Sequence, residues 1–340
     1  MKRIFSILLA TAFMLASFSV WAQAQSKPLE LKYADWNPPV SAVAMVHQKM
    51  LDMIAEKSQG RIKIVPYFGE GLLKMPEVYR GVQSGVADIA YWAVGGIGSP
   101  EKLSTLVRMP FNGISTMEMG TAITEKFFRM SPELASEYKG LEVLGFRMMP
   151  IYQMHTVKKP VRAPADARGM KVIASAGWAD YAKVVNAAPV SLGIGDWYLS
   201  LERGLVEGQW VHFPVAYIFK TLDVFKYHTM INSSSTPDCF IINKAVWDSL
   251  SPDLQKIVRE AVQWEIAEIL KVDGGEEAKA IDYAKKRGNT FHYPDAEELK
   301  LWNESARPMH EAWVAKYEKE GLPAKKLYER WNQLIREYKK

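Results

Sequence analysis

Eleven tryptophans, six histidines and a single cysteine bound the chemistry open to this 340-residue chain. His47, His155, His212, His228, His292 and His310 fall at no metal-ligand spacing, so no metal is expected. The sequence holds no H-E-x-x-H, no G-x-S-x-G, no phosphate-binding Walker loop and no complete G-x-G-x-x-G. Gly95-Gly96-Ile97-Gly98 is followed by Pro100 and opens no long helix, so it reads as a loop beside a cleft. Glu276-Glu277 and Glu297-Glu298 lie in charged helical stretches and read as solvated faces. No catalytic residues and no cofactor are expected. An enzyme acting on a small metabolite is the rival class, and a turnover assay separates it from a binder. Cys239 has no partner for a disulfide and reads as a small buried hydrophobe.

The aromatic residues are the stronger signal, because many stand where strands should end. Trp36 follows the first expected strand, and Tyr91 and Trp92 end the third. Trp178 opens a helix, while Trp210, His212 and Phe213 follow Gly208-Gln209, and Phe240 lies on a returning strand. Ordinary core packing is the competing reading for each. Together they could form a box that stacks a flat ring or holds an ammonium ion by cation–π contact. Asp35, Asp180 and Asp196 are candidate partners for an amine, although Asp196 also suits a helix N-cap. Arg147, Lys171 and His212 are candidate donors to a carboxylate.

The elements needed to position these residues follow from periodicity. Residues 29–34, 61–67 and 87–92 read as strands, with helices over 43–57 and 75–84, the first closed by Gly60 and the second by Gly85. A second block from about Pro150 repeats the order: strands at 171–174 and 189–191, helices at 178–185 and 196–203, then 206–210 leading into Phe213. Residues 240–242 return as a strand. A long helix from Pro252 to about Arg287 follows, capped by Asp253 and interrupted at Gly274-Gly275. Residues 296–338 are helical, with Pro308 and Gly321 as breaks. This order implies two α/β lobes around a hinged cleft.

Residues 1–24 read as a cleaved signal peptide. Lys2 and Arg3 precede an apolar run, and Ala22-Gln23-Ala24 is a small-residue cleavage pattern. An exported protein is expected, placed in the periplasm. The net charge of +5, with both signs interspersed, gives no reason to expect a nucleic-acid partner.

Four segments in order carry a family resemblance: Ser58-Gln59-Gly60-Arg61-Ile62-Lys63-Ile64, Gly81 to Ala90 (GVQSGVADIA), Trp197 to Gln209 (WYLSLERGLVEGQ) and Asn243 to Leu250 (NKAVWDSL). Pro160 to Ile173 (PVRAPADARGMKVI) adds a fifth. The chain resembles the TRAP-transporter solute-binding proteins of the DctP type over nearly its whole length after residue 24. The resemblance implies a type II-like periplasmic-binding-protein fold, each lobe a mixed, mostly parallel sheet with flanking helices, and a long helix spanning both lobes. It places lobe I at residues 25–149 plus about 237–276, and lobe II at 150–236 plus about 277–340 with the C-terminal helices. It implies a small-molecule ligand and membrane permease subunits as partners.

The resemblance also marks where the chain departs. The family's carboxylate-clamping arginine falls at Ile173, a second frequent arginine at Tyr152 ahead of Gln153, and an asparagine at Val211. A dicarboxylate in the usual pose would lack its guanidinium. The expectation is therefore an aromatic organic acid or amino acid in an aromatic-lined cleft, with a small ammonium compound as the alternative.

Overall fold

The computed structural model describes residues 27–96, 98–174 and 177–339, so the proposed signal peptide lies outside the described residues. The first lobe opens with β1 (Leu29–Ala34), α1 (Ala42–Lys57), β2 (Ile62–Tyr67), α2 (Val78–Gln83), β3 (Ile89–Ala93), α3 (Met117–Arg129) and β4 (Leu141–Met148). The second contains β5 (Gln153–Thr156), β6 (Lys171–Ile173), α4 (Gly177–Val184), β7 (Ala188–Val190), α5 (Trp197–Glu202), β8 (Gly208–Val211), α6 (Phe213–Ile218) and β9 (Tyr227–Thr229). The chain then returns through β10 (Pro237–Asn243), α7 (Lys244–Ser249), α8 (Pro252–Lys286), β11 (Thr290–His292), α9 (Ala296–Lys319) and α10 (Ala324–Tyr338).

Two mixed sheets result, in orders β2-β1-β3-β10-β4 and β11-β9-β5-β8-β6-β7. In the first, β1 runs parallel to β2 and β3, while β10 is antiparallel to both β3 and β4. Six of β10's seven residues are buried, as its place between two strands requires. In the second, β8-β6-β7 is parallel and β5 is antiparallel to both β8 and β9.

Three segments cross between the lobes before α9, which itself contributes to both cores. Residues 149–152 and 233–236 run side by side, with Met149 N donating to Thr236 O (3.1 Å) and Tyr152 N to Ser234 O (3.0 Å). The third crossing is α8, which buries Val258, Ala261, Val262 and Ile266 in the first lobe and Ala280 and Ala284 in the second. The helix runs through Gly274-Gly275 without interruption. Each glycine costs a helix about 1 kcal/mol relative to alanine, and packing at both ends outweighs that. Asp253 does not cap the helix. Ser251 holds the N-cap position, and Asp253 sits in the first turn bonded to Ser251 and Arg61.

Pro308 does not break α9 either, whereas Gly321 does separate it from α10. The C-terminal helices expected with the second lobe divide between the two. Trp302 and Ala306 of α9 enter the second lobe's core, while Leu327, Trp331, Leu334 and Ile335 of α10 join the first.

Candidate functional site

The strands of the first lobe sort its aromatics onto opposite faces. Alternation along β3 turns Tyr91 toward α1 and α8, where it meets Tyr33, His47 and Phe240, and turns Trp92 the other way, onto Tyr79. Trp92 thus lies in a separate core, its indole N–H donating to Glu101 (3.1 Å). Trp36, half-buried just past β1, stacks on Tyr91 with ring centroids 5.8 Å apart.

Beneath this stack lies a buried ionic network. His47 Nδ1 is 2.6 Å from Asp35 and Nε2 is 3.1 Å from Glu265, the latter off hydrogen-bond geometry. Burial alone would lower the imidazole pKa, but the flanking carboxylates, Asp35 foremost, hold it at about 9. Asp35 also accepts from Tyr33 (2.8 Å) and from the Asn37 backbone and side chain (2.7 and 2.8 Å). Next to it, Arg147 donates to Tyr91 and Asp273 and stands 3.4 Å from Asp238, with Tyr91 in turn donating to Asp238 (2.5 Å). Glu265 and Asp273, eight residues apart, come from one face of α8. Arg147 is 2% exposed, so its donors serve the fold.

The second lobe gathers its rings without charge. Tyr152 lies 5.5 Å from Trp178 and 5.6 Å from His212, and Trp178 stacks on Trp210 at 5.8 Å. Tyr152 is half-buried, and the other three are 5% exposed or less. Burial lowers the His212 pKa to about 3, so its imidazole is neutral. Phe111 reaches across from the first lobe's chain segment, its backbone N–H donating to Ser233 O (2.8 Å) and its ring contacting Trp178. The indole nitrogens of Trp36 and Trp210 are buried without a hydrogen-bond partner.

The remaining expected positions point elsewhere. Ile173, Val211 and Phe213 pack into a common core with Leu201, Val206 and Phe225 on the other face of the second sheet from Trp210. Phe240 packs against His47 and Tyr91 in the first lobe's core. Gln153 is spent on Asn232, donating to its side chain (2.8 Å) and accepting its backbone N–H (3.0 Å). Asp196 is exposed at the N-cap of α5, where its side chain makes no capping bond. The structure therefore brings together Tyr152, Trp178, Trp210 and His212, with Trp178 and Trp210 themselves in the second lobe's core, sets Trp36 on Tyr91, and leaves Trp92, Ile173, Val211, Phe213 and Phe240 in other cores.

One residue was not singled out from the sequence. Arg108 interrupts the apolar run Leu106-Val107-Arg108-Met109-Pro110-Phe111, and a lone charge there is the signal that could have found it. Its Nη1 donates to the carbonyls of Gly95 and Val94 (3.3 Å for the latter). Gly95, at φ +64°, lets the loop pass close to Arg108, since a Cβ there would come 2.9 Å from Arg108 Cδ.

Comparison with known proteins accounts for this architecture. Residues 36–317 match the family model for bacterial extracellular solute-binding proteins of family 7, the DctP family. The chain belongs to that family. This agrees with the TRAP-type resemblance and makes it a solute-binding protein of transporters, not an enzyme.

A solute-binding protein of Chromohalobacter salexigens is 25% identical over 254 residues, 73% of each chain. Among solved structures, the chain is similar to a marine-metagenome TRAP solute-binding protein specific for aromatic acid ligands, in complex with metahydroxyphenylacetate. That match has a TM-score of 0.80 at 22% identity and covers 92% of this chain and 100% of that one. It is also similar to a TRAP solute-binding protein from Rhodoferax ferrireducens in complex with copurified benzoate. Here the TM-score is 0.79 at 22% identity, covering 92% and 98%. Likeness at this identity establishes the two-lobed fold. Among the described residues no helix is long and apolar enough to cross a membrane.

Proposed function

We propose that this chain is the periplasmic receptor of a TRAP transporter, that it captures a small aromatic organic acid between its lobes by hinge closure, and that it delivers the ligand to membrane permease subunits. The observation that carries this reading is the run of rings His212, Tyr152, Trp178 and Trp210, of which Tyr152 lies near enough to the Arg108 guanidinium to feel its charge. Offset or edge contacts with such rings stabilise a flat guest by about 0.5–1.5 kcal/mol per pair beyond area burial. The aromatic acids held by two proteins of the same fold support the same class.

An ammonium guest is served less well. Asp35 is fully used by Tyr33, Asn37 and His47, and Asp180 is exposed and pairs with Lys183. The test is a thermal-shift series with benzoate, 3-hydroxyphenylacetate and indole-3-acetate against succinate, malate and choline. A ligand at about a hundred times its Kd adds about 2.7 kcal/mol. The aromatic acids should raise the melting temperature and the C4-dicarboxylates should not. A strong shift with succinate or malate, or with choline alone, would refute the reading.

A further inference from the structure

Arg108 is a cation with no counter-charge in direct contact. Among the described residues no carboxylate lies within 4 Å of its guanidinium, and its hydrogen bonds run to two backbone carbonyls through Nη1 alone. The two acids close enough to act on it electrostatically, Glu101 and Asp238, are committed elsewhere. Glu101 accepts from Trp92, the Gly95 N–H (2.6 Å), Ser99 (2.7 Å) and Tyr138. Asp238 serves Arg147 and Tyr91.

Burial draws the Arg108 pKa down, with Tyr152, Glu101 and Asp238 opposing, as expected for a cation short of water and of a partner. Arginine keeps its proton regardless, so the site holds a partly desolvated positive charge with donors to spare. Its position is interlobe. Met109 packs in the first lobe's core, Phe111 in the second's, and the phenol of Tyr152, beside Thr236, is close enough to feel the guanidinium.

We infer that Arg108 is the carboxylate anchor of this receptor, taking over from the first lobe's side the anion-holding role that Ile173 cannot perform, so that the ligand is an aromatic monocarboxylate with its acid group at Arg108 and its ring against Tyr152 and Trp178. The inference rests on the aromatic-acid reading and adds to it the anchoring residue and the number of acid groups. A second carboxylate would find Arg147, the buried guanidinium of the first lobe, already held between Asp273 and Asp238. Planar guanidinium-to-carboxylate bonding also fixes the angle at which the ring enters.

The experiment measures tryptophan-fluorescence or calorimetric titrations of phenylacetate, 3-hydroxyphenylacetate and the neutral isostere phenylacetamide on wild type, Arg108→Met and Arg108→Lys. Wild type should prefer phenylacetate to phenylacetamide by about 100-fold, on the order of 2.7 kcal/mol. Arg108→Met should lose about that factor for the acids and leave the amide unchanged, and Arg108→Lys should fall between. Undiminished acid preference in a folded Arg108→Met overturns the anchor while leaving the aromatic-acid function intact. Failure of wild type to bind any of the three overturns both. Should Arg108→Met not fold, a crystal structure of wild type with benzoate decides. A carboxylate oxygen within hydrogen-bond distance of Arg108 supports the assignment, and a carboxylate bound elsewhere refutes it.

Discussion

The two lobes bury histidine in opposite ways. In the first, both nitrogens of His47 face carboxylates, Asp35 at 2.6 Å and Glu265 at 3.1 Å, so the ring is held doubly protonated. In the second, His155 Nε2 lies 3.0 Å from the Val211 carbonyl and must donate to it, which makes Nδ1 an acceptor. His228 Nδ1, 2.6 Å away, must then donate to His155, and its Nε2 accepts from Asn289 (2.9 Å). The tautomers follow from the bonding pattern, and it has no place for an added proton. Burial lowers His155 to about 4 and His228 to about 2. The first lobe is thus organised by fixed charge shared with α8, and the second by apolar rings. A lobe whose interior carries no charge of its own can present ring faces to a ligand, while charge at the gap is left to Arg108.

The most damaging way to break the first arrangement is Arg147→Met. It would leave Asp238 and Asp273 buried beside each other without their cation, and breaking a buried pair from one side costs about 3–5 kcal/mol. Chemical denaturation should show a loss of that size. A loss below about 1 kcal/mol would mean the two carboxylates are neutral and the network is not ionic. Arg108→Met, by contrast, orphans no carboxylate within 4 Å and should cost far less stability.

The next contrast is in pH. His47 has a folded pKa of about 9, above the ordinary 6.5, so its stabilisation is complete below about pH 6.5 and is lost as pH rises through about 9. His155 and His228 have folded values below 6.5. The unfolded chain binds protons that the native chain refuses, so stability falls as pH drops below about 6.5. Each contributes about 2 kcal/mol of loss between pH 6.5 and about pH 5. Urea unfolding of wild type and of the double variant His155→Gln/His228→Gln across pH 5–7 isolates them from the carboxylates. The variant should show the shallower acid limb, and identical slopes would mean the pair is protonated in the native state.

Much of the fold was legible, because period-two and period-3.6 patterns survive in residues 29–34, 43–57 and 171–173. The continuity of α8 and α9 was not. Local propensity at Gly274-Gly275 and Pro308 argues for breaks, and only long-range burial, such as Ala280 and Trp302, overrides it. The aromatic candidates were legible as residue types but their arrangement was not. Strand-end position selected Trp178 and His212, which contact Tyr152, and Trp210, which stacks on Trp178, and equally selected Trp92, which alternation sends to the other face of β3. Arg147 offered itself as a free cation because its partners, Asp238 and Asp273, are 91 and 126 residues away along the chain.

The finest contrast concerns Ile173, the position where the family resemblance leads one to expect a cation. It is 4% exposed and packs with Leu201, Val206, Val211 and Phe213 around the same core that holds the neutral histidine pair. If it is core, Ile173→Val removes one methyl from a packed site and costs about 1 kcal/mol, leaving aromatic-acid affinity within about twofold of wild type. If it faces the ligand, the same change should leave stability nearly untouched and alter affinity. Measuring both on one variant separates the cases, and the packing around Ile173 requires the first. The apolar residue then has a physical reason of its own: with the anion held from the other side of the gap, the second lobe can use this position to complete its charge-free interior.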